Sequence, residues 1–518
     1  MSRAFYATTP IYYVNAEPHI GHTYTTVLVD ALARYHRLAG EETFFLTGTD
    51  EHGEKIAEAA ARQGVSPQAL ADRYSGAFRS AWETLGFSYD RFIRTTDADH
   101  RATVQAILQE LYDRDQIYWK EYEGLYCVGC ERFLSERDLR DGLCRDHERA
   151  PERRRESNYF FRMSAHFGWL VDHIESHPEF IQPERYRNEA LGMLRDESGL
   201  GDLSISRPVD RLSWGIELPF DRAHVCYVWV DALANYLTGI GYPDSPRFAG
   251  LWGAAEHFIG KDILKPHAVF WPTLLHALGL PPYRALHVHG YWNVDERKVS
   301  KSLGNMVSPL AMRERYGFEA FRWFLLRDMV FGLDAGFSEE ALVARVNADL
   351  ANNLGNLLSR TLQMTARYAA GRIPEPGEPG ELERGIADAA PRLAERVDAC
   401  VRRCEVHRAL EAIVEFLGAV NRYLETRAPW KAAREPGSAA AVATTLYTSC
   451  EALRIVALVA APFLPEAAPA ILERLGLAGA LETARLPDDA ARWGLLRAGT
   501  PTAKGAALFP RLDAPEEG

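Results

Sequence analysis

The chain has 518 residues, 47% hydrophobic and 25% charged, ordinary globular proportions that exclude disorder for most of its length. Lys+Arg number 59 and Asp+Glu 71, a formal net charge of −12, which excludes coating nucleic acid or an anionic membrane by bulk charge but leaves room for a local basic groove. At roughly 150 residues per domain, this length predicts about three or four units with cores that need no disulfides.

The opening MSRAFYATTPIYYV lacks the basic stretch, apolar core and cleavage site of a signal peptide. The longest apolar run, near Ile455–Leu464, falls short of the roughly 20 residues of a membrane span and is interrupted by Pro462. Seven cysteines, an odd number with three in one short stretch, do not form a secreted disulfide pattern. The expectation is a soluble cytoplasmic protein.

In chain order, Arg3–Thr9 alternates as a strand, and Thr23–Leu38 carries apolar residues at helical spacing with Gly40 as its stop. Thr43–Gly48 then reads as a short buried strand, completing a βαβ unit of parallel sheet. Ligands of such sheets collect at the carboxyl ends of the strands, which points to Thr8–His22 and Thr47–Gly53. From about residue 116 the character changes: Tyr118–Tyr126 is aromatic and strand-like, a cysteine cluster follows, Arg149–Arg155 is basic, and Ser157–Met163 is another strand. Strand and helix alternation resumes over His224–Tyr236 and His257–Leu278. Beyond about 340 the chain is helical and alanine-rich, broken at Gly371–Gly380; Ala341–Tyr368, Leu382–Cys404, Arg408–Thr426, Ala439–Val459 and Pro465–Leu475 suit an antiparallel bundle. The tail, Thr500–Gly518, is Pro/Ala-rich and weakly patterned. The expected fold is α/β, a Rossmann-type parallel sheet (1–115 and 224–340) split by an insertion (116–223) and followed by an α-helical domain and tail (341–518).

Pro18-His19-Ile20-Gly21-His22 stands where the first strand gives way to the first helix. A helix N-terminus offers unpaired N–H groups and partial positive charge to phosphates. Two histidines three apart can donate to phosphate oxygens that gain charge during displacement, or simply stand in solvent at a helix start. Lys298-Val299-Ser300-Lys301-Ser302 places two point charges around a potential polyphosphate site, or is an ordinary charged loop. Cys127-x2-Cys130 and Cys144-x2-His147 are two close pairs that can close a tetrahedron around one structural Zn2+; buried thiols are the alternative.

The pairing of PHIGH with KVSKSLGN across a split sheet resembles the class I aminoacyl-tRNA synthetases, and within them the methionyl-tRNA synthetases. TPIYYVNAEPHIGH (Thr9–His22), TGTDEHG (Thr47–Gly53), YVWVDALANY (Tyr227–Tyr236), IGKDILKPHAVFWP (Ile259–Pro272) and HGYWNVDERKVSKS (His289–Ser302) carry the likeness from about Phe5 into the helical bundle. It implies activation of L-methionine with ATP and Mg2+ to methionyl-adenylate, then transfer to the 3′ end of tRNA(Met), initiator included. By the same resemblance His19, Gly21 and His22 contact ATP, with Gly260 and Asp262 on its ribose, and Lys301 stabilises the leaving pyrophosphate with help from Lys298 and Ser300. Asp50 receives the methionine ammonium, while Ile11, Tyr13, Trp229, Tyr236, Ile263 and His267 line the side-chain pocket. Asn356, Arg360 and Trp430 read the anticodon, and the four metal ligands match the single-zinc form of the family. Val299 departs from the usual Met at a packing position, where a small effect is expected.

Thioether–aromatic contacts of about 0.3–1.5 kcal/mol each suit such a pocket. Two rival readings stand beside this one. Another class I synthetase, for leucine, isoleucine, valine or cysteine, fits less well, because the first three carry a far larger editing insertion and the last a metal in its amino-acid site. A non-catalytic tRNA-binding relative need not keep the leaving-group lysines. The chain ends soon after Leu508–Arg511, without room for a dimerising tRNA-binding domain, so a monomer is expected.

Overall fold

A computed structural model describes residues 4–128, 132–134, 138–145, 148–196, 200–227, 229–294, 297–298 and 307–513. The chain forms two compact units, one of Ala4–Pro18 with Phe44–His289 and the other of Met1–Arg3, His19–Thr43 and Gly290–Gly518.

In the first unit, six strands form a sheet in the order Arg91–Arg94, Glu42–Asp50, Ala4–Tyr13, Ala255–Gly260, Ala285–His289, Ile181–Gln182. The pairings run parallel, with Thr8 beside His257, Gly260 beside His289, Leu286 beside Ile181 and Leu46 beside Arg91. Phe5–Thr9 is buried without interruption, as a parallel strand covered on both faces must be, and alternation begins only near Tyr12. The last strand comes from the stretch read in sequence as insertion alone: Ile181–Gln182 is two residues long, too short for a periodic signal. Strand order reverses between Ala4–Tyr13 and Ala255–Gly260, the switch point outside which α/β sheets hold ligands. Tyr13, Asp50, Gly260 and His289 are the last residues of their strands, so all four stand at the carboxyl edge.

The insertion is built on a long antiparallel pair, Ile117–Cys127 with Glu152–Phe161, in register from Ile117–Phe161 to Tyr126–Glu152. Its far end carries the small hairpin Leu139–Arg140 with Leu143–Cys144.

The second unit begins with the helix Ile20–Leu38 and continues, after Gly290, as helices Phe318–Asp328, Glu339–Val346, Asn356–Tyr368, Glu381–Arg402, Val406–Arg427 and Ala439–Ala460. Residues 347–355 form a π-helical stretch that delivers the chain to Asn356 without a break. Ala439–Ala460 is long and apolar enough to cross a membrane by length and composition, a property the run near 455–464 did not suggest; 94% of its apolar window is buried, as befits the central helix of a bundle.

A buried ion pair fixes this unit. Arg322 Nη1 meets Asp30 Oδ2 at 2.6 Å with both side chains at most 1% exposed. The same guanidinium donates to the carbonyls of Phe463 and Pro462 at 3.0 and 2.8 Å. A second tie runs from Arg402 to Glu41 at 2.8 Å and from the Tyr35 hydroxyl to Asp398 at 2.8 Å. Burial works against the Glu41 charge, but hydrogen bonds from His36 and Arg402 bring its carboxyl down to about 2. The tail, weakly patterned in sequence, is held by backbone bonds rather than by periodicity. Asn347 exchanges two hydrogen bonds with the Leu512 backbone at 2.9 and 2.8 Å, and just before the tail the buried Glu451 carboxylate accepts from the N–H groups of Gly494, Leu495 and Leu496.

Candidate active site

The helix Ile20–Leu38 opens on an N-cap made of imidazole. His19 has extended backbone, and its Nδ1 accepts from the Gly21 N–H at 3.1 Å, while the His19 N–H donates to Nδ1 of His22 at 3.4 Å. The two rings stack with centroids 3.8 Å apart. Desolvation, with the neighbouring His19 adding to it, holds His22 well below the ordinary histidine range, so it is neutral near pH 7. An Nδ1 that accepts leaves the proton on Nε2, so each neutral ring carries its N–H on the side away from the cap. Gly21 has a steric role not visible in the sequence: a Cβ there would lie 3.0 Å from Cε1 of His19 and disturb the ring that caps the helix.

At the carboxyl edge of the sheet, Gly260 plays the same part for Asp262. Its φ is an unremarkable −75°, but an added Cβ would stand 2.7 Å from Asp262 Oδ1. The glycine makes room for a carboxylate that turns back over the strand end.

Of the residues read as the methionine wall, all in the first unit, Ile11, Trp229, Tyr236 and Ile263 pack in one hydrophobic cluster, whereas Tyr13 packs against a separate one with Val14, Ile56 and Leu70. Tyr236 and His267, 1% and 4% exposed, are joined by a 2.7 Å hydrogen bond from the tyrosine hydroxyl to Nε2. Nδ1 of His267 donates to the Ile263 carbonyl at 2.9 Å. A carbonyl only accepts, so this fixes the neutral tautomer, and burial brings the ring down to about 4. His267 lies in the π-helical turn Pro266–Phe270, a local widening frequent at functional sites. Ile11, Trp229 and Ile263 are only partly buried against the core, and Trp229 meets Phe270 edge-on at 6.1 Å. Asp50 is 7% exposed. Burial, above all, pushes the Tyr236 hydroxyl up, and the Asp50 charge acts in the same direction.

Sequence reasoning passed over the neighbours of Asp50. Glu51 is fully buried and clamped by Arg94 at 2.7 and 2.8 Å and by the Thr96 hydroxyl at 2.6 Å. His52 Nδ1 bonds Asp231 Oδ2 at 2.7 Å, and His100 Nε2 bonds Asp231 Oδ1 at 2.9 Å. The usable signal was Asp231 itself, the one acidic residue in the largely apolar run VWVDALANYL.

Of the four metal-ligand candidates, Cys127 and Cys144 come together in a satellite cluster with Leu134 and the partly buried Leu139; Cys130 and His147 lie outside the described residues. That cluster is far too small to be a self-sustaining core, and two buried thiols in it fit a structural Zn2+ donor set. Cys226, Cys400, Cys404 and Cys450 are buried core residues. Lys298 is described only as backbone, paired with Asn293 in a short antiparallel bridge; Ser300 and Lys301 lie outside the described residues.

In the second unit the Arg360 guanidinium stands 5.0 Å from the centroid of the Trp430 ring and bonds Glu425 at 2.6 Å. Asn356, one turn before Arg360, is exposed. Trp430 is presented by Ala428, whose φ of +39° breaks the helix Val406–Arg427 before Pro429 starts a new turn.

An open parallel sheet with buried carboxylates at Asp50 and Glu51 where a strand ends, in a chain that also carries a histidine-capped helix and an arginine–tryptophan platform, is the build of a class I aminoacyl-tRNA synthetase. The family described as tRNA synthetases class I (M) matches residues 5–150 and 136–362, and the anticodon binding domain of methionyl tRNA ligase matches 373–517. A methionine–tRNA ligase of Deinococcus radiodurans is 47% identical over 98% of this chain and 74% of its own length. One from Caldanaerobacter subterraneus is 43% identical over 100% of this chain and 80% of its own. The structure of Mycobacterium tuberculosis methionyl-tRNA synthetase in complex with methionyl-adenylate superposes with a TM-score of 0.93 at 42% identity, covering 98% of this chain and 100% of that one. The chain belongs to the methionyl-tRNA synthetase family.

Proposed function

We infer that this protein is a methionine–tRNA ligase: it condenses L-methionine with ATP to methionyl-adenylate and pyrophosphate, then transfers the methionyl group to the 3′-terminal ribose of tRNA(Met), initiator and elongator alike. The observation that carries this reading is the hydrogen-bonded wall Tyr236–His267–Ile263, in a unit whose Asp50 carboxylate is buried at the last residue of its strand. An apolar, polarisable side chain packs on the aromatic wall, and its ammonium pairs with Asp50.

In the first step a methionine carboxylate oxygen attacks the α-phosphorus and the bond to the β-phosphate oxygen breaks, so pyrophosphate leaves. In the second a ribose hydroxyl attacks the methionyl carbonyl and AMP leaves with the bonding pair. The protein's task is positioning and charge stabilisation. His19 and His22 donate from Nε2 to phosphate oxygens, Gly260 and Asp262 hold the ribose, and Lys301, with Lys298 and Ser300, steadies the departing pyrophosphate. Mg2+ bound with ATP supplies further charge neutralisation. Asn356, Arg360 and Trp430 receive unstacked anticodon bases, for which an aromatic platform beside directional donors is suited.

One structural Zn2+ would be held by Cys127, Cys130, Cys144 and His147. Its test is metal analysis together with loss of one zinc in the Cys144→Ser variant. The division into a split catalytic domain (1–115 and 224–340), a zinc-binding connective insertion (116–223) and an anticodon-binding domain with tail (341–518) belongs to the same reading, as do a monomeric state and a cytoplasmic location; sedimentation and cell fractionation test the last two. A pocket discriminates one methylene by only about 1–3 kcal/mol, so homocysteine should be activated measurably, with any correction in the synthetic site.

The deciding experiment is amino-acid-dependent ATP–pyrophosphate exchange with methionine, homocysteine, leucine, isoleucine, valine and cysteine. Strong exchange with methionine supports the assignment. Exchange with another amino acid alone moves the specificity, and none at all in folded protein overturns the enzymatic reading.

A further inference from the structure

The loop that follows Asp50 is pinned from several sides, by Tyr13 of the amino-acid wall and by residues that do not line it. The Tyr13 hydroxyl donates to the His52 carbonyl at 3.2 Å, and Trp214 Nε1 donates to the Glu51 carbonyl at 2.6 Å. The His52 ring bonds Asp231 at 2.7 Å, Asp231 bonds His100 at 2.9 Å, and His100 Nδ1 reaches the Thr238 hydroxyl at 3.2 Å. His52 is 4% exposed, while Asp231 and His100 are at 0%. This is a polar chain buried in a hydrophobic core, running from the helix Ala98–Asp113 through the helix Trp229–Thr238 to the loop behind the ammonium site.

Burying a carboxylate is costly unless its lone pairs are met. Both oxygens of Asp231 are met by imidazoles, and these contacts outweigh burial to bring its carboxyl down to about 2. Apolar residues of similar volume would serve folding at least as well. A directional chain that ends on His52, two residues from Asp50 and hydrogen-bonded through its carbonyl to Tyr13, has another consequence: it sets the orientation of two residues of the methionine wall.

We propose that His100 and Asp231 are positioning residues for methionine, acting through His52 to hold Asp50 and Tyr13 in the geometry that binds the amino acid. The proposal rests on the methionine–tRNA ligase reading and names how that site is kept in register. It separates two functions within the motif YVWVDALANY: Trp229 and Tyr236 belong to the proposed amino-acid wall, whereas Asp231 bonds His52 and His100.

The test is methionine-dependent ATP–pyrophosphate exchange by His100→Ala, His100→Gln, Asp231→Asn and Thr238→Val, with thermal melting of each. His100→Ala and Asp231→Asn should raise the KM for methionine about tenfold or more, the usual effect of losing a hydrogen bond to a charged group, with the KM for ATP within twofold of wild type. His100→Gln, whose amide can still donate to Asp231, should recover most of that loss. Thr238→Val removes only the outermost contact, so it should give a smaller rise in the same constant and remains informative if the harsher variants do not fold. A lower melting temperature with the methionine KM unchanged in Thr238→Val and His100→Gln, and either no selective rise in His100→Ala or equal effects on both substrates, would overturn the proposal. Wild-type protein without methionine-dependent exchange would instead overturn the functional reading beneath it.

Discussion

The Tyr236 hydroxyl and Nε2 of His267 stand 2.7 Å apart, and the far side of the same imidazole is tied to the Ile263 carbonyl. The ring is thereby neutral, of one tautomer and unable to rotate. Tyr236→Phe keeps the volume but leaves a buried acceptor without its donor, at a cost of about 1–3 kcal/mol. The expected outcome is roughly a tenfold rise in the methionine KM with little change for ATP. An unchanged methionine KM in pyrophosphate exchange would remove His267 from the specificity wall.

Acid should loosen the sheet-bearing unit before it titrates most carboxylates. Burial lowers His267 from 6.5 to about 4 and holds His257 well below 6.5 as well. A histidine depressed in the folded state favours the native form above its unfolded value, and that contribution is lost as pH falls from about 6.5 towards 4. For His267 alone the contribution is about 3 kcal/mol. Urea midpoints should therefore fall on acidification from pH 7 to 5, and His267→Asn should fall less steeply than wild type. Parallel pH profiles would contradict this.

Gly21 and Gly260 make matched predictions. Gly21→Ala brings a methyl to 3.0 Å from the His19 ring, and Gly260→Ala brings one to 2.7 Å from Asp262 Oδ1. Displacing the capping imidazole should slow adenylate formation by about tenfold to a hundredfold while methionine binding is kept. Displacing Asp262 should appear chiefly in the KM for ATP. Single-turnover rates and substrate titrations separate the two effects.

Arg322 is the residue whose loss should hurt stability most. Arg322→Leu takes the buried guanidinium from Asp30, which keeps Arg34 at 2.8 Å, and leaves the Phe463 and Pro462 carbonyls in the core without that donor; breaking one side of a buried pair costs up to about 3–5 kcal/mol. The exposed pair Arg153–Glu123, with side chains 79% and 52% accessible, should change stability by less than about 1 kcal/mol when either charge is removed. Comparable melting shifts for the two variants would refute the contrast.

Much of this was legible in the linear sequence, for identifiable reasons. The parallel sheet announced itself through TFFLTG, and the bundle through apolar spacing over long segments; Ala439–Val459 differs from the observed helix Ala439–Ala460 by a single residue. Tyr236, Ile263 and His267 stand within motif stretches, and the structure joins them by hydrogen bonds. What escaped was short or non-local: a two-residue edge strand, a tail held by backbone bonds to Asn347 and Ile373, and the relay from His100 to His52. The π-helical turns at 266–270 and 347–355 also carry no periodic signature, because each alters hydrogen bonding without changing residue type.

The sequence by itself determined the class of fold, the order of its motifs and the chemical inventory of the site, because hydrophobic period, turn residues and short motifs are local properties of the chain. Only the tertiary structure decided which nitrogen of His267 carries the proton, what a Cβ at position 21 would meet and how a buried aspartate at 231 is satisfied. Those depend on atoms brought together from residues as far apart as His52 and Asp231, and the free energy of a hydrogen bond depends on angstrom distances and burial that no spacing in the chain encodes.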